Sequence, residues 1–252
     1  MQIPAEGPVV VGAGGTATDP AAVRFAAREA VSRGRTLTVV HAFTWPGPGD
    51  YALARRAASR IVEEAVSIAQ RSTPGIAARG HLVDGPPERV LLRLTRSSTL
   101  LVLGGGLVEV VLRAWCPVAV ARRHRTPSGP VLAAVDGSPV SAAVLRFAAE
   151  QARRRGGRVD VVYAGEPAGR PVLDGVRPRL LSGDPAGALV HASRDAGLIV
   201  LGPRGPGTRG RLGTVAAAVL RHGGCPAVFV HGPAGFRNPG NPVPELLPLA
   251  HT

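Results

Sequence analysis

The chain contains an internal repeat, and this feature constrains its fold more than any other. Arg24-Phe25-Ala26-Ala27 recurs as Arg146-Phe147-Ala148-Ala149. Further along, 37–42 matches 159–164, 84–87 matches 182–185, 101–104 matches 199–202, and 116–118 matches 225–227. Matches that keep the same order indicate two copies of one folding unit. We therefore predict two domains, 1–122 and 129–232, joined by a short linker and followed by a disordered tail, 233–252.

Each half alternates short apolar runs with amphipathic stretches. Such alternation predicts strands joined by helices, and hence a parallel sheet covered by helices on both faces. The predicted fold class is α/β, with two tandem Rossmann-like domains, each an open five-stranded parallel sheet flanked by helices. The predicted strands are 8–13, 36–43, 76–83, 100–103 and 118–121 in the first half, and 130–135, 158–164, 176–182, 198–201 and 227–231 in the second.

The second half lacks one element of the first. Residues 51–71 have an amphipathic pattern that predicts a helix, whereas the second half has only 165–175 at the corresponding place. That stretch is rich in glycine and proline, which predicts a loop.

Residues suited to a ligand follow two strands of the second half. In open parallel sheets, ligands bind beyond the carboxyl ends of the strands, where the winding reverses. Asp136 follows the first strand, and a glycine loop from Gly202 to Gly213 follows the fourth and opens a helix. Such a loop lets backbone N–H groups approach phosphates. The first half has Gly14 in place of the acid and no comparable loop after Gly104, so we expect a nucleotide site only in the second domain.

These segments resemble the universal stress protein family. The matching signatures in the second half are 135–138, 147–150, 183–186 and 225–226, and the resemblance covers nearly all of both halves. It implies domains of the adenine nucleotide alpha hydrolase-like type, a role in stress response, and ATP or a related adenine nucleotide as the ligand. ATP-binding members carry Gly-x-x-Gly, nine residues, then Gly-Ser or Gly-Thr. Here only seven residues, 206–212, separate Gly205 from Gly213-Thr214, which predicts weaker ATP binding.

The resemblance also implies which residues would contact the nucleotide. Asp136 would face adenine and ribose together with the backbone of Ala134, Val135 and Ala164. The phosphates would lie against the loop that Gly202 opens, at Gly205, Gly213, Thr214 and Val215.

Simpler explanations exist for the same residues. Asp136-Gly137-Ser138 could form only a turn and a helix cap. Arg204, Arg209 and Arg211 could bind phosphate, but arginines in such loops are more often solvated. The alternative function is therefore a degenerate tandem that binds no nucleotide and acts as a protein-interaction scaffold.

The net charge of +13 suggests a third hypothesis, that the chain binds nucleic acid. The sequence contains no lysine, so all 30 basic residues are arginine, as GC-rich coding produces. Few aromatic residues accompany the arginine clusters, and no platform for stacking bases is evident. We regard nucleic acid as an unlikely partner.

Other functional classes have little support in the sequence. Cys116 and Cys225 stand at equivalent repeat positions and are expected to be buried small hydrophobes. His191 has no partner at metal-ligand spacing, and no catalytic constellation is evident, so we expect no metal and no enzyme, with slow ATP hydrolysis left open.

The sequence also leads to expectations about cellular location and oligomeric state. No apolar run reaches the roughly 18 residues that a membrane span needs, and residues 1–8 do not resemble a secretory signal, so a cytoplasmic location is expected. The chain should be a monomer in which the last strands of the two halves pair, or a homodimer, and protein partners are left open.

Overall fold

The computed structural model of the chain describes residues 7–45, 47–122, 128–165, 177–205 and 210–232. Most of the predicted linker and of the loop 165–175, together with the predicted tail 233–252 and Arg209, lies outside the described residues. The described residues form two compact units, one of residues 7–110 and 114–116 and the other of residues 111–113 and 117–232. The predicted domains 1–122 and 129–232 stay a prediction about which segments fold on their own.

The described residues of the first unit form four parallel strands in the order β3-β2-β1-β4. Its core consists of runs of buried Val and Leu, as expected for a parallel sheet covered on both faces. The elements in chain order are β1 (Val9–Gly12), α1 (Asp19–Ser32), β2 (Leu37–Phe43), α2 (Tyr51–Ser72), β3 (Ala78–Asp84), α3 (Pro87–Leu94), β4 (Leu100–Leu103) and the start of α4 (Val108–Arg113).

Helix α2 is the element predicted at 51–71. Its N-terminus is capped by Asp50, whose carboxylate accepts a hydrogen bond from the Leu53 backbone N–H at 3.0 Å. Its buried stripe packs on β3 so closely that a Cβ at Gly80 would stand 2.4 Å from a methyl carbon of Val62. Glycine is therefore required at that position of the strand.

The described residues of the second unit form six strands in the order β5-β10-β9-β6-β7-β8. All are parallel to their neighbours except β5, which runs antiparallel to β10 with Ala119 opposite Val228. The elements are β5 (Val118–Val120), β6 (Val131–Ala134), α5 (Ser141–Arg155), β7 (Val159–Ala164), β8 (Arg179–Leu181), α6 (Pro185–Ala192), β9 (Leu198–Leu201), α7 (Thr214–His222) and β10 (Ala227–Phe229).

The predicted α/β class, a mostly parallel sheet flanked by helices, is confirmed. One detail differs: the fifth strand predicted for the first half is β5, which the structure places in the second unit and antiparallel to β10. Strand β8 is also shorter than predicted, because Arg177 and Pro178 precede it without joining the sheet. Proline has no N–H to donate to a sheet ladder.

No counterpart of α2 is present among the described residues of the second unit. The consequence is visible on β7, where Val159 and Val161 are half-buried. Leu37 and Val39, at the corresponding positions of β2, are fully buried.

Candidate functional site

A cavity of about 360 Å³ opens at the carboxyl ends of β6, β7 and β9 in the second unit. We call it the carboxyl-edge cavity. The N-terminal turns of α5, α6 and α7 complete its walls. All nine residues singled out from the sequence line it, namely Ala134, Val135, Asp136, Ala164, Gly202, Gly205, Gly213, Thr214 and Val215. The structure thus brings these residues together, and their role in binding stays a prediction.

Asp136 is held in place by the loop between β6 and α5. Its Oδ1 accepts hydrogen bonds from the Ser138 backbone N–H at 2.9 Å and from the Ser141 hydroxyl at 3.2 Å. Gly137 takes a positive φ of 77°, which permits this tight turn. The second oxygen, Oδ2, lies on the side of Gly205, 3.9 Å from where a Cβ of that residue would stand. Half of the carboxylate is therefore engaged in shaping the loop, and the other half faces the cavity.

The glycine loop closes on itself across the cavity wall. The Gly213 N–H donates to the Pro203 carbonyl at 3.0 Å, and a Cβ on Gly213 would stand 3.1 Å from the Gly205 nitrogen. Because its N–H is already hydrogen-bonded, Gly213 has no donor left for a ligand. Its lack of a side chain instead allows a ligand to approach the backbone closely. Residues 206–209 of this loop lie outside the described residues.

Helix α7 points its N-terminus at the same wall. Gly213 is its N-cap and provides no side-chain cap, and its first turn contains no acidic residue. The first N–H groups of a helix have no partner within the helix, and they carry partial positive charge. This end of α7 is suited to an anion.

Arg204 is not the solvated side chain that the sequence analysis favoured for it. It lines the cavity, and its Nη2 donates to the Leu112 carbonyl at 3.2 Å. Its Nε is buried and has no hydrogen-bond partner among the described residues. Arg211, in contrast, is exposed as expected.

His231 lies beside this arginine. Its Nε2 donates to the Val111 carbonyl at 2.8 Å. Burial, opposed by the Val111 hydrogen bond and assisted by the positive charge of Arg204, lowers the pKa of His231 to about 4. The imidazole is therefore neutral at physiological pH, and it helps Arg204 to satisfy carbonyls at the C-terminal end of α4.

The first unit fills the matching position with its own carboxylate. Asp19 Oδ2 accepts from the backbone N–H groups of Gly14, Gly15 and Thr16 at 2.7, 2.7 and 3.1 Å. Successive N–H groups that converge in this way form an anion-binding nest. A side chain of α2 also covers the loop, since a Cβ on Gly15 would stand 2.8 Å from Ile61. The nest of the first unit is thus occupied from within.

Several lining residues were not found from the sequence. Tyr163 is the clearest, because it precedes Ala164 on β7 and its hydroxyl reaches back over Gly165. Ser141 could have been found from the internal repeat, because it occupies the position in the second half that Asp19 occupies in the first. The remaining residues, Ser138, Val140, Val144, Pro185, Leu189, Leu201 and Ala216, line the cavity from α5, α6, β9 and α7 or the turns beside them.

The cysteines are buried, as predicted. Both are free thiols, and burial raises the pKa of Cys116 and of Cys225 to about 12. Within the described ranges no cluster of three His, Cys, Asp or Glu residues is suited to a metal ion. In the same ranges no helix is both long enough and apolar enough to span a bilayer.

Comparisons with known proteins agree with the fold. The profile of the Universal stress protein family matches residues 7–106 and 128–181. A universal stress protein of Mycobacterium tuberculosis is 29% identical over 281 aligned positions, which cover 87% of this chain and 95% of the relative.

Two solved structures share the architecture of nearly the whole chain. A universal stress protein from Archaeoglobus fulgidus superposes with a TM-score of 0.69 at 16% identity and covers 88% of this chain and 97% of its own. A protein of unknown function from Pseudomonas aeruginosa gives a TM-score of 0.63 at 14% identity, with coverages of 92% and 95%. At these identities the likeness shows the fold alone.

Proposed function

The chain belongs to the universal stress protein family, and from this membership we propose that it is a stress-response protein that binds ATP or a related adenine nucleotide in the carboxyl-edge cavity. One observation carries the proposal. Asp136, the facing glycines Gly205 and Gly213, and the open N-terminus of α7 line a single cavity of about 360 Å³. Pockets for ligands of nucleotide size usually fall in the range of about 300 to 1,000 Å³.

In the proposed complex the nucleoside lies at the strand ends. The free oxygen of Asp136 accepts hydrogen bonds from the ribose, and adenine packs among Val135, Ala164 and Tyr163, which line that side. The phosphates lie toward Gly205, Thr214 and Val215, where α7 begins. The dipole of a helix favours a negative charge at that end by about 0.3 to 1 kcal/mol at an exposed site.

We expect the glycine loop to bind the phosphates of the nucleotide weakly. The loop is two residues shorter than in the ATP-binding members that the sequence resembles, and the Gly213 N–H is bonded to Pro203. The nucleoside then supplies most of the binding free energy. ATP, ADP and AMP should accordingly differ in dissociation constant by less than about tenfold, or ~1.4 kcal/mol.

The proposal concerns binding rather than turnover. We expect no catalytic group of the chain to act on the nucleotide, and slow hydrolysis of bound ATP is left to measurement. A cytoplasmic location, where ATP is available, and a monomer or homodimer as the working form belong to the same proposal, which invokes neither nucleic acid nor a membrane as a partner.

A thermal melt of the full chain with and without ATP tests the proposal. At a ligand concentration near 100 times the dissociation constant, binding adds about 2.7 kcal/mol to the free energy of unfolding, which raises the Tm by several degrees. Gly213→Val should remove this rise. The backbone of Gly213, with φ at −63°, accepts valine, so the loss would come from the side chain filling space next to Gly205.

A Tm that millimolar ATP, ADP and AMP all leave unchanged would overturn the proposal. The protein-interaction scaffold would then be the better account, because it needs no nucleotide.

A further inference from the structure

Arginine side chains meet at the amino edge of the second unit's sheet, opposite the carboxyl-edge cavity. Burial raises the pKa of the Cys225 thiol, in the turn that leads from α7 into β10, to about 12, against the opposing charges of Arg155 and Arg122. Both guanidinium groups therefore lie near this sulfur. A Cβ on the neighbouring Gly224 would stand 2.8 Å from the Cα of Arg194. Since Arg155 ends α5 and Arg194 follows α6, the C-terminal ends of these two helices meet at this turn.

The repeat shows that Arg155 has exchanged a charged partner for a neutral one. The equivalent residue of the first unit is Arg33, whose Nη2 lies 3.2 Å from Oε2 of Glu29, and the two side chains are only 8% and 6% exposed. In the second unit Gln151 stands in the place of Glu29, and its Oε1 accepts a hydrogen bond from Arg155 Nε at 3.3 Å. The i, i+4 pairing is retained, but a neutral amide does not cancel the charge of Arg155, which is exposed.

A second replacement lies in the turn itself, where Gly224 takes the place of Trp115. The Trp115 N–H donates to the Thr95 hydroxyl at 3.1 Å, and the Gly224 N–H donates to the Ser193 hydroxyl at 2.8 Å. Thr95 and Ser193 are themselves equivalent in the repeat. The first unit thus has an indole ring where the second unit has no side chain.

This replacement changes the surroundings of Arg194. In the first unit the guanidinium of Arg96 lies over the Trp115 ring, 5.1 Å from its centroid. Arg194 occupies the place of Arg96 in the repeat, and Gly224 offers it no ring. Arg96 is half-buried, whereas Arg194 is exposed. Two arginines that the first unit covers with its own carboxylate and its own ring are therefore at the surface of the second unit.

The charges around these two arginines are mostly positive. Arg122 donates to the Arg221 carbonyl at 3.3 Å, so the last turn of α7, with its exposed Arg221, adjoins the same place. Of the acidic residues nearest in sequence, Glu150 pairs with Arg154. Asp195 lines a separate cavity at the starts of β6 and β7.

We propose that Arg155, Arg194 and Arg221, here called the arginine cluster, bind a segment of a partner protein that presents carboxylates next to an aromatic ring. A carboxylate of the partner takes the place that Glu29 has in the first unit, because the guanidinium fork is suited to planar carboxylates. The partner's ring lies against Arg194 as Trp115 lies against Arg96, in a cation–π contact. Arg221 adds to the attraction for further acidic residues.

Other occupants fit the arginine cluster less well. A second copy of the chain has a net charge of +13 and presents the same basic surface, so the two copies repel each other there. Single-stranded nucleic acid is bound by rows of aromatic side chains. The aromatic residues described in the second unit are Phe147, Tyr163 and Phe229, and none of them is exposed. In duplex DNA the rings are stacked inside the helix and cannot reach Arg194.

Calorimetric titration of the full chain with the unlabelled peptide Glu-Glu-Trp-Glu-Glu at low salt tests this inference. We expect saturable binding, at least fivefold weaker for Glu-Glu-Ala-Glu-Glu, which lacks the ring, and for Gln-Gln-Trp-Gln-Gln, which lacks the charges. Arg194→Gln should weaken binding of the first peptide at least fivefold. Gln151→Glu should do the same, because it restores the internal carboxylate that the first unit places beside Arg33.

Arg60→Gln is the matched control, since it removes one positive charge from an exposed position of α2. It should leave the affinity for the peptide unchanged. The inference is overturned if the peptide does not bind at millimolar concentration, if the peptide without the ring binds equally well, or if Arg60→Gln weakens binding as much as Arg194→Gln. It is also overturned if Arg194→Gln and Gln151→Glu bind the peptide as the wild type does, or if a duplex DNA of 20 base pairs binds more tightly than the peptide and is weakened by the same variants. None of these outcomes bears on the nucleotide proposal, because the substituted residues do not line the carboxyl-edge cavity.

Discussion

At the scale of single residues, the two units place their loop carboxylate at different positions. The second unit has Asp136 at the strand end and Ser141 at the start of the helix, and the two are hydrogen-bonded. The first unit has Gly14 at the strand end and Asp19 at the start of the helix, where the carboxylate turns back onto the loop. The acid therefore faces a cavity in one unit and fills a nest in the other.

Replacement of Asp136 tests the first of these roles. We expect Asp136→Ala to weaken binding of adenine nucleotide by tenfold or more, because a hydrogen bond to a charged group contributes about 1.5 to 3 kcal/mol. Gly14→Ala is the matched control in the first unit, where a Cβ meets only an ordinary contact with Thr16 at 3.5 Å. Calorimetry should show unchanged affinity for Gly14→Ala, and equal loss in both variants would contradict the assignment.

Replacement of Asp19 tests the second role. Asp19→Ala leaves the N–H groups of Gly14, Gly15 and Thr16 without their acceptor, which should lower the free energy of unfolding by about 1 to 3 kcal/mol. Urea unfolding of the variant measures this loss. Nucleotide affinity should not change, since Asp19 does not line the carboxyl-edge cavity. A variant as stable as the wild type would show that the nest is not a stabilising feature.

His231 should make the stability depend on pH. Its pKa is about 4 in the folded chain, against about 6.5 when unfolded, so between these values the unfolded chain binds a proton that the folded chain does not. The stabilisation is present above pH 6.5 and is lost as the pH falls toward 4, by on the order of 3 kcal/mol.

His231→Gln provides the comparison, because its amide can still donate to the Val111 carbonyl but does not titrate. Urea unfolding of both proteins at pH 7 and pH 4.5 should show a smaller loss of stability in the variant. Equal losses in the two proteins would contradict this role for His231.

The sequence predicts the residues of the cavity well because they follow strand ends, and the ends of parallel strands meet at one edge. It does not predict the environment of Arg204, whose carbonyl partner, Leu112, is 92 residues away along the chain. The hydrogen bond between Gly213 and Pro203 could not be predicted from the sequence either, because a glycine-rich loop can adopt many backbone conformations.

At the scale of elements, the strands that the sequence predicts to the residue are β4 and β9. Each is a run of four buried apolar residues between polar or glycine neighbours. The start of β8 is predicted less well because its neighbouring segment lacks the apolar alternation of the other strands, and Pro178 delays pairing. Repeat matching transfers the element order from one half to the other, but it cannot show that removal of a helix opens one face of β7.

At the scale of the whole molecule, the antiparallel pairing of β5 with β10 predicts how a fragment would behave. Residues 128–232 contain β10 but not β5, so the edge of β10 would be open in the fragment. Open strand edges pair with other chains. We expect this fragment to dimerise or aggregate in analytical ultracentrifugation at concentrations where the full chain is monodisperse. A monodisperse, monomeric fragment would show that β5 is not needed to cover that edge.

The number of adenine nucleotide sites per chain tests the central claim most directly. The second unit has a cavity beside Asp136 and an open helix N-terminus, whereas Asp19 occupies the corresponding nest of the first unit. Calorimetric titration of the full chain with ATP should therefore give one site per chain, and Asp136→Ala should weaken that site. Two equivalent sites per chain, or one site that is indifferent to Asp136, would contradict the account.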